Sequence, residues 1–236
     1  MAIDVVVAPT YLYVRSRAPE NDPPIRLAFG KALDRAISQY NYYSMHTTRS
    51  LLGKAQRCAM AVLRSELEKM RVEVSGEELK EQARKLWRML AAWYKSPYVK
   101  YLRPKTHVII MRSGDFIGAL YAQPDFEDNV GQFYEVKSFD IEKEPKKHVQ
   151  VQAGVFSLLG PLFLVYFSEQ DGYYTVKQKF VPGDPQVLDD VVDFLKSRPE
   201  GSETQPLEKL LRSFPSRIYV KENSWKRAKK IMSISQ

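Results

Sequence analysis

The alternation of apolar and polar positions predicts a group of β-strands from residue 106 onward. Aromatic and β-branched residues recur there at every second position, which is typical of strands with one buried face. Ser113-Gly114 interrupts the first of these runs and predicts a tight turn between adjacent strands. The predicted strands are 106–112, 115–122, 132–139, 162–168 and 173–181.

Apolar residues at helical spacing predict helices before, between and after these strands. Ser75 and Glu78 have the pattern of a capping box, and Thr10 is the expected cap of a short first helix. The longer predicted helices are 27–43, 51–70, 76–94, 148–159 and 185–197. This order of elements predicts an α/β fold in which helices flank a mixed central β-sheet.

The domain organisation follows from the same pattern. We expect one domain over residues 1–200, with an all-helical insertion at about 48–96, because no strand pattern interrupts that segment. Residues 201–236 are expected to form a basic C-terminal extension.

Composition narrows the class of protein. The chain has 236 residues and a formal net charge of +8, which favours an anionic partner such as nucleic acid. The chain contains no apolar run long enough to span a membrane and no signal-peptide pattern at its beginning, so we expect a cytoplasmic protein without membrane contact. Cys58 is the single cysteine, which excludes an internal disulfide, and its apolar surroundings predict a core position.

Two carboxylates and a lysine in the middle of the chain have the spacing of a metal site on a β-hairpin. Asp125 follows Pro124, and nine residues separate it from Glu135-Val136-Lys137. Residues two apart in a strand point to the same face, so Glu135 and Lys137 are expected to lie together within reach of Asp125 on the neighbouring strand. Two hard oxygen ligands beside an ammonium group suit a divalent metal and a phosphodiester.

The context of this Glu-x-Lys triplet distinguishes it from two other copies. Glu78-Leu79-Lys80 lies in a helical pattern, and Glu144-Pro145-Lys146 lies in a charged loop. The copy at Glu135 combines a strand-like run with an upstream Pro-Asp one hairpin away. A solvated carboxylate–lysine pair on an edge strand is the alternative interpretation of the triplet.

Pro-Asp followed by Glu-x-Lys resembles the signature of the PD-(D/E)xK nuclease superfamily, and three further segments resemble its RecB-like exonuclease branch. Residues 5–12 resemble the short strand and helix start of that branch. Gly30 and Asp34 resemble its glycine and metal-binding histidine, with aspartate in place of the histidine. Gln152 and Phe156 resemble its Gln-x-x-x-Tyr motif, with phenylalanine in place of the tyrosine.

The resemblance implies a restriction-endonuclease-like core and a deoxyribonuclease that depends on Mg²⁺ or Mn²⁺. The implied metal ligands are Asp34, Asp125, Glu135 and the Val136 backbone carbonyl, and the implied catalytic residues are Asp125, Glu135, Lys137 and Gln152. Some members of the branch, including CRISPR-associated nucleases, hold an iron–sulfur cluster on four cysteines. A chain with one cysteine is expected to hold no iron–sulfur cluster.

Three further residues are alternative site candidates, because the sequence does not decide which residues of these elements face the site. His148 and Gln150 are alternatives to Gln152 on the same predicted helix. Asp115 is the alternative to Asp125, because it begins the preceding predicted strand.

The C-terminal extension is the predicted nucleic-acid-binding segment. Its cations could hold a phosphate backbone by charge, with weak sequence preference. The candidate contacts are Lys209, Arg212, Lys226, Arg227, Lys229 and Lys230. A solvated basic tail or an oligomer contact is the alternative interpretation.

Three functions remain open at this point. The first is a metal-dependent DNA nuclease, exonuclease-like, acting in repair, recombination or the processing of mobile-element or viral DNA. The second is a catalytically silent DNA-binding or assembly module on the same fold, which the departures at Asp34 and Phe156 leave open. The third is a dimeric, structure-specific endonuclease, because cutting two strands needs two sites.

Overall fold

The computed structural model describes residues 4–46, 52–100, 106–184, 186–213 and 218–221, which form an α/β protein. The strands are β1 Asp4–Pro9, β2 His107–Ser113, β3 Phe116–Ala122, β4 Phe126–Glu127, β5 Phe133–Lys137, β6 Leu162–Gln170, β7 Tyr173–Val181, β8 Glu203–Pro206 and β9 Ile218–Lys221. The helices are α1 Thr10–Arg17, α2 Pro24–His46, α3 Leu52–Lys69, α4 Gly76–Tyr94, α5 Lys147–Phe156, α6 Gln186–Lys196 and α7 Leu207–Ser213, with a short 3₁₀ helix at Pro97–Lys100. The predicted helices and strands are thus confirmed, with shifts at their ends.

The strands form two mixed sheets where the sequence predicts one. The first sheet has the order β8-β1-β3-β2-β9, and the second has the order β4-β5-β6-β7. The division falls between β3 and β4, where Pro124 interrupts the chain. Proline has no N–H to donate, so the ladder of β3 cannot continue through it, and the chain pairs next with β5 in the other sheet.

The segment assigned to a C-terminal extension contributes to the first sheet. β8 pairs antiparallel with β1, and β9 pairs parallel with β2. Residues 203–206, for which the sequence predicts no strand, form an edge strand, because their backbone groups complete the ladder of β1.

Helices cover both faces of the first sheet. β1 alternates between them, because Val5 and Val7 pack with Leu210 of α7 while Val6 and Ala8 pack with α5 and α6. The contact with α6 is close, since a Cβ at Gly118 would lie 2.7 Å from a methyl group of Leu195. The first sheet is thereby buried on two sides.

The second sheet packs against α2, α3 and α4. Trp93 of α4 is fully buried among aromatic rings, with its ring centroid 5.8 Å from that of Phe126 on β4. Its indole N–H donates to the Asn41 side chain of α2 at 2.8 Å, and Asn41 in turn donates to the Tyr98 carbonyl at 2.9 Å. Asn41 lies two turns after Asp34, so this buried link fixes the rotation of α2 and with it the direction of Asp34.

Two local predictions are corrected and one is confirmed. Ser75 caps α4 by accepting a hydrogen bond from the Glu78 N–H at 3.1 Å, as the sequence predicts. Thr10 does not cap α1, because its hydroxyl donates instead to the Tyr121 carbonyl of β3 at 2.6 Å and ties the helix start to the sheet. Cys58 is partly exposed, because the buried stripe of α3 follows other positions. Every helix within the described ranges is too short or too polar to cross a bilayer.

Candidate active site

A short hairpin brings the two predicted carboxylates together. β4 and β5 pair antiparallel, with Phe126 opposite Tyr134. Continuing this register by one residue places Asp125 opposite Glu135, at a typical Cβ separation of about 5 Å. The Val136 N–H donates to Asp125 Oδ2 at 2.8 Å, which holds the Asp125 carboxylate against β5.

The turn of this hairpin is fixed by the side chain of Asp128. One of its carboxylate oxygens accepts hydrogen bonds from the N–H groups of Val130 and Gln132, at 3.0 and 2.9 Å. The other accepts from the Tyr134 hydroxyl at 3.0 Å. Gly131 has a φ of +84°, a conformation that glycine adopts without steric cost. These contacts set the turn length and therefore the register that places Asp125 opposite Glu135.

Lys137 lies on the same face of β5 as Glu135 and links it to α5. Its ammonium group donates to Glu135 Oε1 at 2.9 Å and to Gln152 Oε1 at 2.7 Å. Gln150, the alternative on the same helix, is exposed and lies outside the cleft. The structure therefore brings Gln152, and not Gln150, together with the strand residues.

One oxygen of Glu135 is buried without a hydrogen-bond partner. Oε1 accepts from Lys137, but Oε2 is inaccessible to solvent and has no hydrogen bond within the described part of the chain. Glu135 as a whole is 5% exposed. An unsatisfied buried carboxylate oxygen is costly, since a native protein normally pairs such groups or binds a cation with them.

The charges in this cluster shift the pKa values of two members in the same direction. Burial raises the pKa of Asp125 well above its usual value, and repulsion from Glu135 and Asp34 raises it further against the opposing effect of Lys137. For Lys137, desolvation lowers the pKa, but attraction to Glu135 and Asp125 outweighs it and the net shift is upward. Lys137 is therefore an ammonium ion at neutral pH, facing an excess of carboxylates.

Helix α2 forms the opposite side of the site. Asp34 and Gly30 line the same cleft as Asp125, Glu135 and Lys137, and the cleft has a volume of about 1110 Å³. Among the described residues, the atom nearest to a Cβ built at Gly30 is the Ser138 hydroxyl oxygen at 3.8 Å, so packing against these residues does not require a glycine there. The glycine leaves open space beside the acidic cluster.

Two further candidates from the sequence do not contribute to this cluster. One lacks the expected hydroxyl group, and the other lies far from the cluster. Phe156 lines the cleft but is buried and offers no hydroxyl, so the tyrosine hydroxyl of the Gln-x-x-x-Tyr motif that this segment resembles has no counterpart here. Asp115 is exposed in the turn before β3, at the opposite end of that strand from Asp125. The structure therefore does not bring Asp115 together with Glu135 and Lys137.

A second polar cluster, which the sequence does not predict, borders the cleft. Oxygen or nitrogen atoms of Glu20, Asp22 and His148 lie within 4.8 Å of one another, a separation at which they could hold a metal. Lys146 already bonds both oxygens of Asp22, at 2.5 and 2.6 Å, and Arg26 lies 3.5 Å from it. Glu20 and Asp22 fall in a loop without periodicity, so neither spacing nor pattern in the sequence indicates them.

The predicted nucleic-acid-binding residues are only partly described. Lys209 and Arg212 lie on α7, where both are exposed and outside the cleft. Arg212 forms an ion pair with Glu208 one turn earlier. Lys226, Arg227, Lys229 and Lys230 lie outside the described residues.

The arrangement as a whole combines hard oxygen ligands with a fixed cation in an open cleft. Asp125 and Glu135 present carboxylates, and Val136 presents its carbonyl to the same side as its N–H, toward Asp125. Lys137 adds a positive charge held by two acceptors. Such a donor set can bind a divalent cation and neutralise a bound phosphodiester.

Comparisons with known proteins assign no family. No family model matches the chain, and no curated protein matches it. Among solved structures, the crystal structure of SSO0001 is 13% identical, and the match covers 81% of this chain and 85% of that chain with a TM-score of 0.34. A TM-score at this level carries no conclusion about fold or function. The resemblance to PD-(D/E)xK nucleases therefore stays a prediction from the motifs.

Proposed function

We propose that the protein is a metal-dependent DNA nuclease that hydrolyses phosphodiester bonds on a restriction-endonuclease-like core. The observation that carries the proposal is the buried Glu135 Oε2, which has no hydrogen bond to any residue that the structure describes and belongs to a cluster that also holds Asp125 and Lys137. A site built only for stability would satisfy this oxygen, whereas a cation-binding site leaves it available. Exonuclease-like processing in repair, recombination or mobile-element and viral DNA turnover is the expected setting.

The residues present fit Mg²⁺ or Mn²⁺. Asp125, Glu135 and the Val136 carbonyl would hold the ion, and Asp34 would complete the coordination or hold a second ion. Such an ion lowers the pKa of a bound water and polarises a phosphate. The Glu20–Asp22–His148 cluster fits less well, because Lys146 neutralises Asp22.

Lys137 and Gln152 act on the substrate side of this site. Lys137 is held as an ammonium ion, so its role is to orient the phosphate and offset the negative charge that develops on it. Gln152 positions that ammonium group through the hydrogen bond at 2.7 Å.

A catalytically silent DNA-binding module is the second candidate. Phe156 favours it, because the residue lines the cleft without the hydroxyl that the RecB-like motif supplies at this position. Intact Asp125, Glu135 and Lys137 favour the enzyme. A dimeric structure-specific endonuclease is a variant of the enzyme proposal, which a dimer in solution would support.

The test is nuclease activity on labelled linear single-stranded, linear duplex and closed circular DNA, each with Mg²⁺, Mn²⁺ or EDTA. Lys137→Ala is expected to abolish cleavage. Lys80→Ala is the matched control, because Lys80 belongs to the Glu-x-Lys triplet of α4, is 65% exposed and pairs with Glu77. Its activity is expected to equal that of the wild type.

The outcomes separate the candidates. Metal-dependent cleavage that Lys137→Ala lacks supports the enzyme, and sparing of the circle makes it an exonuclease. Binding of DNA without cleavage of any substrate supports the silent module and overturns the catalytic roles. A rise of the unfolding temperature with Mn²⁺ that Glu135→Gln lacks reports the metal site independently of activity.

A further inference from the structure

Two exposed side chains of α1 face the cleft of the proposed nuclease site. Tyr11 is 65% exposed, and Arg15 is also exposed; both line the cleft that holds Asp125 and Glu135. They are four residues apart on one helix, so they lie one above the other on the same face. Neither side chain makes a hydrogen bond or ion pair with the described part of the chain.

The same helix carries a second tyrosine–arginine pair, Tyr13 and Arg17, whose side chains pack within the protein. Tyr13 is buried and packs edge-on against Phe194, with ring centroids 5.4 Å apart. The Arg17 guanidinium lies 5.8 Å from the centre of the Tyr13 ring, and its NH2 group donates to the Asp190 carbonyl at 3.3 Å. That pair holds α1 to α6. Tyr11 and Arg15 are the same two residue types at the same spacing, but they do not take part in the contact between α1 and α6.

The other lysines and arginines of the cleft have acidic partners. Arg26 pairs with Asp22 and Glu144, and Lys31 pairs with Glu66. Lys137 is held by Glu135. Among the described lysines and arginines of the cleft, Arg15 thus differs in having no acidic partner, so its guanidinium group can bind an anionic ligand.

We propose that Tyr11 and Arg15 hold an unpaired nucleotide next to the site, with the base stacked on the Tyr11 ring and a phosphate bound by Arg15. This inference rests on the proposed function. Within a duplex the bases stack on one another and the surface presents phosphates and groove edges, so an exposed aromatic ring stacks most readily on an unpaired base. The preferred substrate class is therefore single-stranded DNA or an unpaired end.

Binding measured without cleavage tests the inference. A fluorescent oligonucleotide of about 16 nucleotides is titrated in EDTA, beside a blunt duplex of the same sequence, and binding is followed by anisotropy. Tyr11→Ala is expected to raise the Kd for the single strand by roughly 5- to 150-fold, while Tyr11→Phe keeps the ring and binds as the wild type does. Arg15→Ala is expected to reduce the slope of log K against log salt by about 0.7.

Matched controls lie outside the cleft. Tyr173 is 77% exposed at the start of β7, and Arg112 is exposed on the hairpin between β2 and β3. Tyr173→Ala and Arg112→Ala are expected to leave the Kd and the salt slope unchanged.

The outcomes distinguish this inference from the proposed function. If the wild type cuts DNA but Tyr11→Ala binds single strands as Tyr173→Ala does, the stacking role is overturned and the nuclease stands. If the wild type prefers the duplex, or binds neither ligand, the single-strand assignment is wrong whatever the cleavage assay gives. If Tyr11→Ala loses single-strand binding and the wild type cuts no DNA, the result supports the nucleotide-binding role of Tyr11 and Arg15 together with the silent module.

Discussion

The triplet Glu-x-Lys occurs on β5 and on α4, and the two copies have opposite environments. On β5, the side chains of Glu135 and Lys137 are 7% and 13% exposed and bond each other at 2.9 Å. On α4, Lys80 is 65% exposed and bonds Glu77 rather than the glutamate of its own triplet. The same three-letter pattern thus produces a buried ion pair in one element and a solvated side chain in the other.

The periods of the two elements explain this difference. Residues two apart in a strand share a face, so the triplet is a unit on β5. Residues two apart in a helix point in different directions, so Lys80 finds its partner three residues away at Glu77. Glu78 instead lies in the first turn of α4, where its N–H is capped by Ser75. The chemistry of the triplet therefore depends on the element that carries it.

The largest expected effect comes from removing the carboxylate of the β5 triplet, with the same change in the α4 triplet as its control. Glu135→Gln removes the anionic oxygens proposed to bind the metal, so cleavage is expected to fall by about 10³-fold, since loss of the ion removes several kcal/mol of transition-state stabilisation. Glu78→Gln is expected to keep wild-type cleavage. Initial rates on the preferred substrate at saturating Mn²⁺ measure both variants. Equal rates for the two variants would show that the β5 triplet has no catalytic role.

A smaller effect is expected on α5, where two glutamines can be compared directly. Gln152→Ala removes an acceptor from Lys137 and is expected to lower kcat by about 10-fold with little change in KM, because it acts by positioning the ammonium group. Gln150→Ala, on the exposed side of the helix, is expected to change neither constant. An effect of Gln150→Ala alone would reverse the register assignment.

The sequence predicts the strands of the site better than the contacts between elements. Spacing along one strand places Glu135 beside Lys137, because the period of a strand is fixed by backbone geometry. The position of Asp34 depends on the rotation of α2, which the buried Trp93–Asn41 hydrogen bond sets, and no local pattern in the sequence encodes that contact.

Non-local contacts also explain what the sequence does not predict. Glu20 meets His148 only because the loop before α2 passes over α5, with 3.6 Å between Glu20 Oε1 and His148 Nε2. β8 forms because β1 offers an open edge, although Glu203–Pro206 has no strand pattern of its own. Such features depend on the assembled fold, which local periodicity cannot supply.

The stability of the metal-free protein is expected to change in opposite directions when a carboxylate is neutralised beside the β5 triplet and in the α4 triplet. Asp125→Asn relieves the repulsion from Glu135 and Asp34 while its side-chain oxygen can still accept from the Val136 N–H, so the free energy of unfolding in EDTA should rise by about 1 kcal/mol. Glu78→Gln removes a negative charge from the first turn of α4 and should lower it by about 0.5 kcal/mol. Urea unfolding at pH 7 measures both changes. A loss of stability in Asp125→Asn would contradict the picture of crowded carboxylates.

The smallest expected effect on stability concerns a carboxylate–lysine cluster at the surface, which can be compared with the buried carboxylates of the cleft. Glu66 bonds Lys31 and Lys69 at 2.7 Å each, and these hydrogen bonds lower its pKa from 4.5 to about 2. A pKa lowered in the folded state contributes stability that is present above pH 4.5 and is lost as the pH falls toward 2. Glu66→Gln should therefore lower the urea midpoint slightly at pH 6, and the difference from the wild type should vanish near pH 2. A difference that stayed constant over this range would mean that the contribution of Glu66 comes from packing and not from its charge, unlike the carboxylates of the cleft.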